Sequence, residues 1–290
     1  MTLSAFHGSE ATRATLLARL QQHAAADRLQ PGPLAWDAGT GGSLVGCMIE
    51  SDDAAAWQAQ TGLPVWLAVA IDGMAGLLPS RADALAFGER LLAAIAPGAD
   101  LHGAGSTLVI RLLDSMAEGV PAALVTPGLA QALTQVRQLH EASAAGAQTL
   151  PADWKTARRL AIAATDALTD PVQLALAQCV ETAAWNPLRS SSCVYDTMRV
   201  WRSALNDQAI REFGWTDADD KDMETILRQL HDTYLLPAPH LKLTVFDLLE
   251  EHYPEKALRL RENYRHQRES GAETTRRATD MLFGVLGATR

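Results

Sequence analysis

Apolar positions recur along this chain at helical spacing, and the residues between them are those that start and stop helices. Near the N-terminus Leu16, Leu20, His23 and Asp27 fall at i, i+4, i+7 and i+11. At roughly 100° per residue all four project within about 60° of one another, so the imidazole and the carboxylate extend an apolar stripe. Ser9 stands ahead of this run as an N-cap, which predicts a helix to about Leu29. Asp52 is placed to cap 53–60, which Gly62 would end. Pro64 opens 65–78, apolar nearly all round except for Asp72. Ser80 and Asp83 resemble a capping box before ALAFGERLLAAI, and Pro97-Gly98 stops that helix. Thr126-Pro127 and Asp170-Pro171 each put a capping side chain before a first-turn proline, which predicts two more starts. Further helices are expected over 106–118, 152–168, 191–213, 219–234, 243–251, 255–269 and 273–286.

β-branched and aromatic residues rarely alternate, and alanine is abundant. Residues 43–49 are the one stretch that reads as a short strand. The expected fold class is therefore all-α. It is an irregular multi-helix array with at most a minor short strand pair, since no heptad is sustained. SAAGAQTLP at residues 143–151 marks the best boundary. It separates an N-terminal helical region, 1–146, carrying a glycine-rich bend, from a C-terminal helical region, 150–290. One continuous helical domain is the alternative.

Composition sharpens this picture without changing it. Of the 290 residues, 48% are hydrophobic and 20% charged, ordinary proportions for a chain with a real core. The net charge of −9 argues against nucleic acid as a default partner. No run of 18 apolar residues and no signal-like leader is visible, so a soluble protein without a membrane partner is expected. Three cysteines, an odd number, read as reduced thiols in a cytoplasm. The trailing MLFGVLG predicts docking onto the body or onto a second copy through the C-terminal helices.

Candidate chemistry concentrates in the first half. His23 and Asp27, four apart on one helix, can form an imidazole–carboxylate pair that leaves the second ring nitrogen free. Cys47 follows the stretch GTGGSLVGCMIES at 39–51. With His23 as base and Asp27 as orienter it would make a nucleophilic triad, and this set is the candidate catalytic group. The alternatives are a buried brace and a small core cysteine. His7, Trp36 and Asp72 are candidate ligand contacts. A carboxylate inside so apolar a helix must be paired, exposed through a gap or protonated. The glycine stretch itself is no phosphate loop, because Cys47 stands where the lysine belongs and no strong strand precedes it. DADDKDME at 217–224 fails the calcium loop, with Asp222 and Arg228 at the positions requiring glycine and glutamate. No metal set and no cofactor are expected.

Phe6-His7-Gly8, then His23, Asp27, Gly32 and Trp36, are followed by Gly42 to Cys47, Gly62-Leu63-Pro64, Asp72 and Gly98-Ala99-Asp100-Leu101. On these residues the first 115 or so positions resemble an uncharacterised bacterial and phage-associated family with no known activity. Its pattern carries a second cysteine at the position of Ser43. The resemblance implies that the histidine, the aspartate, the bend and the cysteine belong to one N-terminal unit. The leading expectation is a helical binding or interaction module for a small ligand or protein, with a polar site on an apolar wall. A hydrolase using Cys47 and His23, or a His/Asp metal site, is the alternative.

Overall fold

The computed structural model describes residues 4–237 and 242–289. Among them the fold is all-α, with thirteen α-helices and one two-stranded antiparallel ribbon. None of these helices is long and apolar enough to cross a membrane.

The chain divides into two compact units, 1–201 with 275–290, and 202–274. The expected boundary at 143–151 lies within the first unit, where it links two of its helices. In that first unit α1 (Glu10–Ala25) is capped by Ser9, whose hydroxyl accepts the Thr12 amide at 3.2 Å. The helix buries Leu16, Leu20 and His23. Two strands follow, β1 (Trp36–Asp37) and β2 (Gly41–Gly42), then α2 (Leu44–Ile49), α3 (Ala54–Thr61), α4 (Val65–Ala75) and α5 (Arg81–Ala94). The array continues through α6 (Ala104–Glu118), α7 (Pro127–Ala144), α8 (Pro151–Asp166) and α9 (Pro171–Ala183). Thr126 and Asp170 cap α7 and α9 ahead of their prolines, as the sequence predicts.

Two expectations are corrected here. Residues 43–49 are helix and not strand. Ser43 sits in extended backbone and caps α2 by accepting the Gly46 amide, while the strand residues are the two glycines before it. Every residue of α2 is buried, and a helix apolar on all sides shows no period by which to tell it from a buried strand. The second correction concerns the first helix, which stops at Ala25. Asp27 lies beyond it in left-handed backbone, φ 57°, a conformation aspartate tolerates better than most residues.

α4 is the central element. Trp66, Leu67, Ala68, Ala70, Ile71 and Met74 are all buried, and Asp72 is buried with them. The C-terminal apolar run belongs to the same unit. Leu282, Val285 and Leu286 are buried, and the Phe283 ring lies 5.5 Å from that of Phe87.

α10 (Cys193–Phe213), α11 (Asp217–Leu230), α12 (Val245–His252) and α13 (Pro254–Leu286) complete the chain. α13 is one helix where two were expected; Gly271 sits inside it, a cost of about 1 kcal/mol that a long helix absorbs. The second unit has its own core of Trp215, Met223, Ile226, Leu230, Leu248 and Leu249 among others. Capping boxes at Thr216/Asp219 and Thr244/Asp247 open α11 and α12, so the acidic start of α11 serves its own N-terminus.

Candidate functional site

The glycine bend is built by close backbone approach. A side chain at Gly42 or Gly46 would put its Cβ 2.1 or 2.0 Å from the Ala35 carbonyl oxygen. At Gly41, which has φ 94°, it would meet the Arg28 carbonyl at 2.1 Å. Glycine is required there for space and, at Gly41, for conformation. β1 and β2 pair in the register Trp36↔Gly42 and Asp37↔Gly41. The turn between them is closed by Asp37, which accepts the Gly39 and Thr40 amides.

Two polar side chains hold this bend from below. The Ser43 oxygen accepts the Ala35 amide at 3.2 Å and the Gly46 amide at 3.0 Å. Asp72, from α4, accepts the Leu34 amide at 2.7 Å on Oδ2 and the Val45 amide at 2.8 Å on Oδ1. The neighbouring Ser43 side chain also favours the ionised form of this carboxylate. Burial nevertheless pushes Asp72 up to about 6, because these hydrogen bonds offset only part of its desolvation.

Asp72 also lines a cleft of about 370 Å³ between the bend, the end of α4 and the start of α5. Leu29, Leu44, Leu78 and Pro79 supply apolar wall, and Gln30, Ser80 and Arg81 supply polar groups. The Arg81 guanidinium is paired with the Asp27 carboxylate.

The expected triad does not assemble. Asp27 is engaged by Arg81 and not by His23, since the helix ends before it and the i,i+4 geometry is lost. His23 Nε2 meets Glu50 Oε1 at 3.1 Å, and its ring lies edge-on to Trp36 at 4.8 Å. Glu50 is the left-handed C-cap of α2 and also lies near Arg19, so His23 ties α1 to the end of α2. The Cys47 sulfur is 3.4 Å from the Gly42 carbonyl oxygen and 3.9 Å from that of Arg28. Burial pushes its thiol up to about 11, the reverse of what a nucleophile at neutral pH needs. His7 Nε2 donates to the Ala59 carbonyl at 2.9 Å. With Phe6 (φ 52°) and Gly8 (φ 72°), His7 (φ 53°) forms a left-handed turn pinned by the buried Phe6 ring. Among the described residues no three His, Cys, Asp or Glu side chains converge as a metal site.

Of the residues singled out in the sequence, then, Asp72 alone lines the cleft; His7, His23, Trp36 and Cys47 brace the unit around it. Sequence reasoning missed Ser43, Glu50 and Arg81. A serine three residues before Gly46 carried a capping signal, masked by the strand-like run after it. Nothing local marks Glu50 or Arg81.

A second polar centre lies on α6 and α7. His140 is fully buried, with Nε2 donating to the Ala183 carbonyl at 2.7 Å and Nδ1 3.2 Å from the Ser106 hydroxyl. The ring packs edge-on to Trp154 at 4.8 Å. Burial pushes His140 down to about 4, so it is neutral at physiological pH. Because a carbonyl only accepts, the proton sits on Nε2 and the Ser106 hydroxyl donates to Nδ1. Every polar atom of the ring is satisfied, which is the condition of a structural histidine. Trp154, Trp201 and Trp215 are core anchors, whereas Trp185 is 40% exposed beneath the Arg158 guanidinium.

No protein-family model, no curated protein and no solved structure matches this chain.

Proposed function

We propose that this protein is a small-ligand-binding module whose site is the cleft beside the glycine bend. One observation carries the reading: the buried acid Asp72 lines an open cleft of about 370 Å³ whose wall mixes aliphatic and polar side chains. That volume is in the range of small-molecule sites, and a few polar groups set among apolar side chains are their usual lining. The bend is rigid by construction, because Ser43 and Asp72 between them hold four of its amides. Such a scaffold keeps a cleft open in the absence of a ligand and limits the ordering cost of binding.

The thiol and the two N-terminal histidines support the scaffold and take no chemical part. The reading is tested by a fragment screen on the full chain, followed by the amide signals of Gly32, Leu34 and Val45 in 15N spectra. Fragments with one polar head and an apolar body are expected to shift these three amides together and saturably. A screen whose hits all fall elsewhere, or that leaves these amides unmoved, contradicts it.

A further inference from the structure

The chemistry of the cleft also selects its occupant. A carboxylate offers about four acceptor directions. Asp72 uses two on the Leu34 and Val45 amides, which leaves acceptor capacity on both carboxylate oxygens. Among the described residues no cation pairs with it. A buried carboxylate without a counter-charge is costly, and a cation brought to it recovers part of that cost. Arg81 is the other charged residue of the lining, and its guanidinium is engaged by Asp27. It does not pair with Asp72, and its charge is matched by Asp27. The uncharged wall is aliphatic at Leu29, Leu44, Leu78 and Pro79, with Gln30 and Ser80 as its neutral polar groups.

Resting on the binding role proposed above, we infer that the cleft takes a small organic ammonium ion. Its N–H donates to the free acceptor capacity of Asp72, and its hydrocarbon body packs on Leu29, Leu44 and Leu78. Hydrogen bonds to a charged acceptor from a charged donor exceed neutral ones by enough to set a clear preference among ligands of one shape.

Three probes of common shape test this on the full-length protein at pH 7.5 and matched ionic strength: n-hexylammonium, n-hexanol and hexanoate. Hexylammonium is expected to shift the Gly32, Leu34 and Val45 amides saturably. Its affinity should exceed that of hexanol by at least about tenfold, or about 1.4 kcal/mol. Hexanoate should leave the amides unmoved. Asp72→Asn is expected to remove the preference for hexylammonium over hexanol. Should that variant fail to fold, Ala75→Leu fills the cleft from the end of α4 without touching the hydrogen bonds of Asp72. It is expected to keep the native spectrum and lose the hexylammonium shifts.

Equal or tighter binding of hexanol or hexanoate at these amides overturns the ammonium inference and leaves the binding role standing. Shifts that survive unchanged in Ala75→Leu overturn the inference by placing the amine elsewhere. Silence with all three probes also overturns it, while the binding role falls only if the fragment screen leaves the cleft empty as well.

Discussion

Two buried ionisable side chains act on stability in opposite directions. Asp72 is raised to about 6, so the folded protein binds its proton more tightly than the unfolded chain does. Its ionised form then costs stability, and the loss grows as pH rises from about 4 to about 6. His140 is lowered to about 4, so the unfolded chain binds that proton more tightly. Stability is lost as pH falls from about 6.5 towards 4. Each effect is on the order of 3 kcal/mol from the shifts involved, and in the wild type they oppose one another between pH 4 and 6. Asp72→Asn removes one of the two. Its denaturant midpoint is expected to climb with pH from 4 to 6.5 more steeply than that of the wild type, and parallel profiles would contradict the burial assigned to Asp72. The thiols give a second test at this scale. Cys47, Cys179 and Cys193 are all buried with raised pKa. A water-soluble disulfide reagent is expected to titrate none of them promptly in the native protein and all three in denaturant. One fast-reacting thiol that maps to Cys47 would reopen its role as a nucleophile.

Among the elements, the short ribbon and the helix after it depend on a serine and three glycines more than on any hydrophobic pattern. Ser43→Ala removes the cap of α2 and orphans the Ala35 amide, which is expected to cost about 1–2 kcal/mol by urea denaturation. Gly46→Ala drives a methyl into the Ala35 carbonyl, and its cost is expected to reach about 3 kcal/mol, the upper end for overpacking. A Gly46→Ala protein as stable as the wild type would mean that the bend is not packed as described. These elements also show what a sequence discloses. Thr126-Pro127 and Asp170-Pro171 were legible because a cap acts on amides two or three residues away. Asp72 was legible as an anomaly, since a lone acid in an apolar helix demands a partner, yet its partners are backbone amides 38 and 27 residues away, which no local pattern names. The His23–Asp27 pair failed for a related reason. Helical projection holds only while the helix lasts, and this one ends without a glycine to announce it. Arg81 reaches Asp27 across 54 residues and was invisible for the same cause.

For the molecule as a whole, the division into two units assigns different cores to different segments. The second unit is held by a small cluster around Trp215, Met223, Leu248 and Leu249, with capping boxes at both helix starts. Leu249→Ala is expected to destabilise that unit by about 2–5 kcal/mol. In hydrogen exchange the amides of α11 and α12 should lose protection first, while those of α1 and α4 keep theirs. Equal loss everywhere would show that the two cores unfold as one. The proposed binding role belongs to the first unit, where the bend, α4 and α5 enclose the cleft. On that proposal a buried carboxylate without a counter-charge stands at the cleft within reach of a ligand. The most direct measurement is a pH titration of the Asp72 side-chain carboxyl carbon signal, with and without n-hexylammonium. The expected midpoint is near 6 in the free protein, moving downward as the ammonium ion favours the ionised form. A midpoint in the ordinary aspartate range near 4, or one that saturating hexylammonium leaves in place, would contradict it.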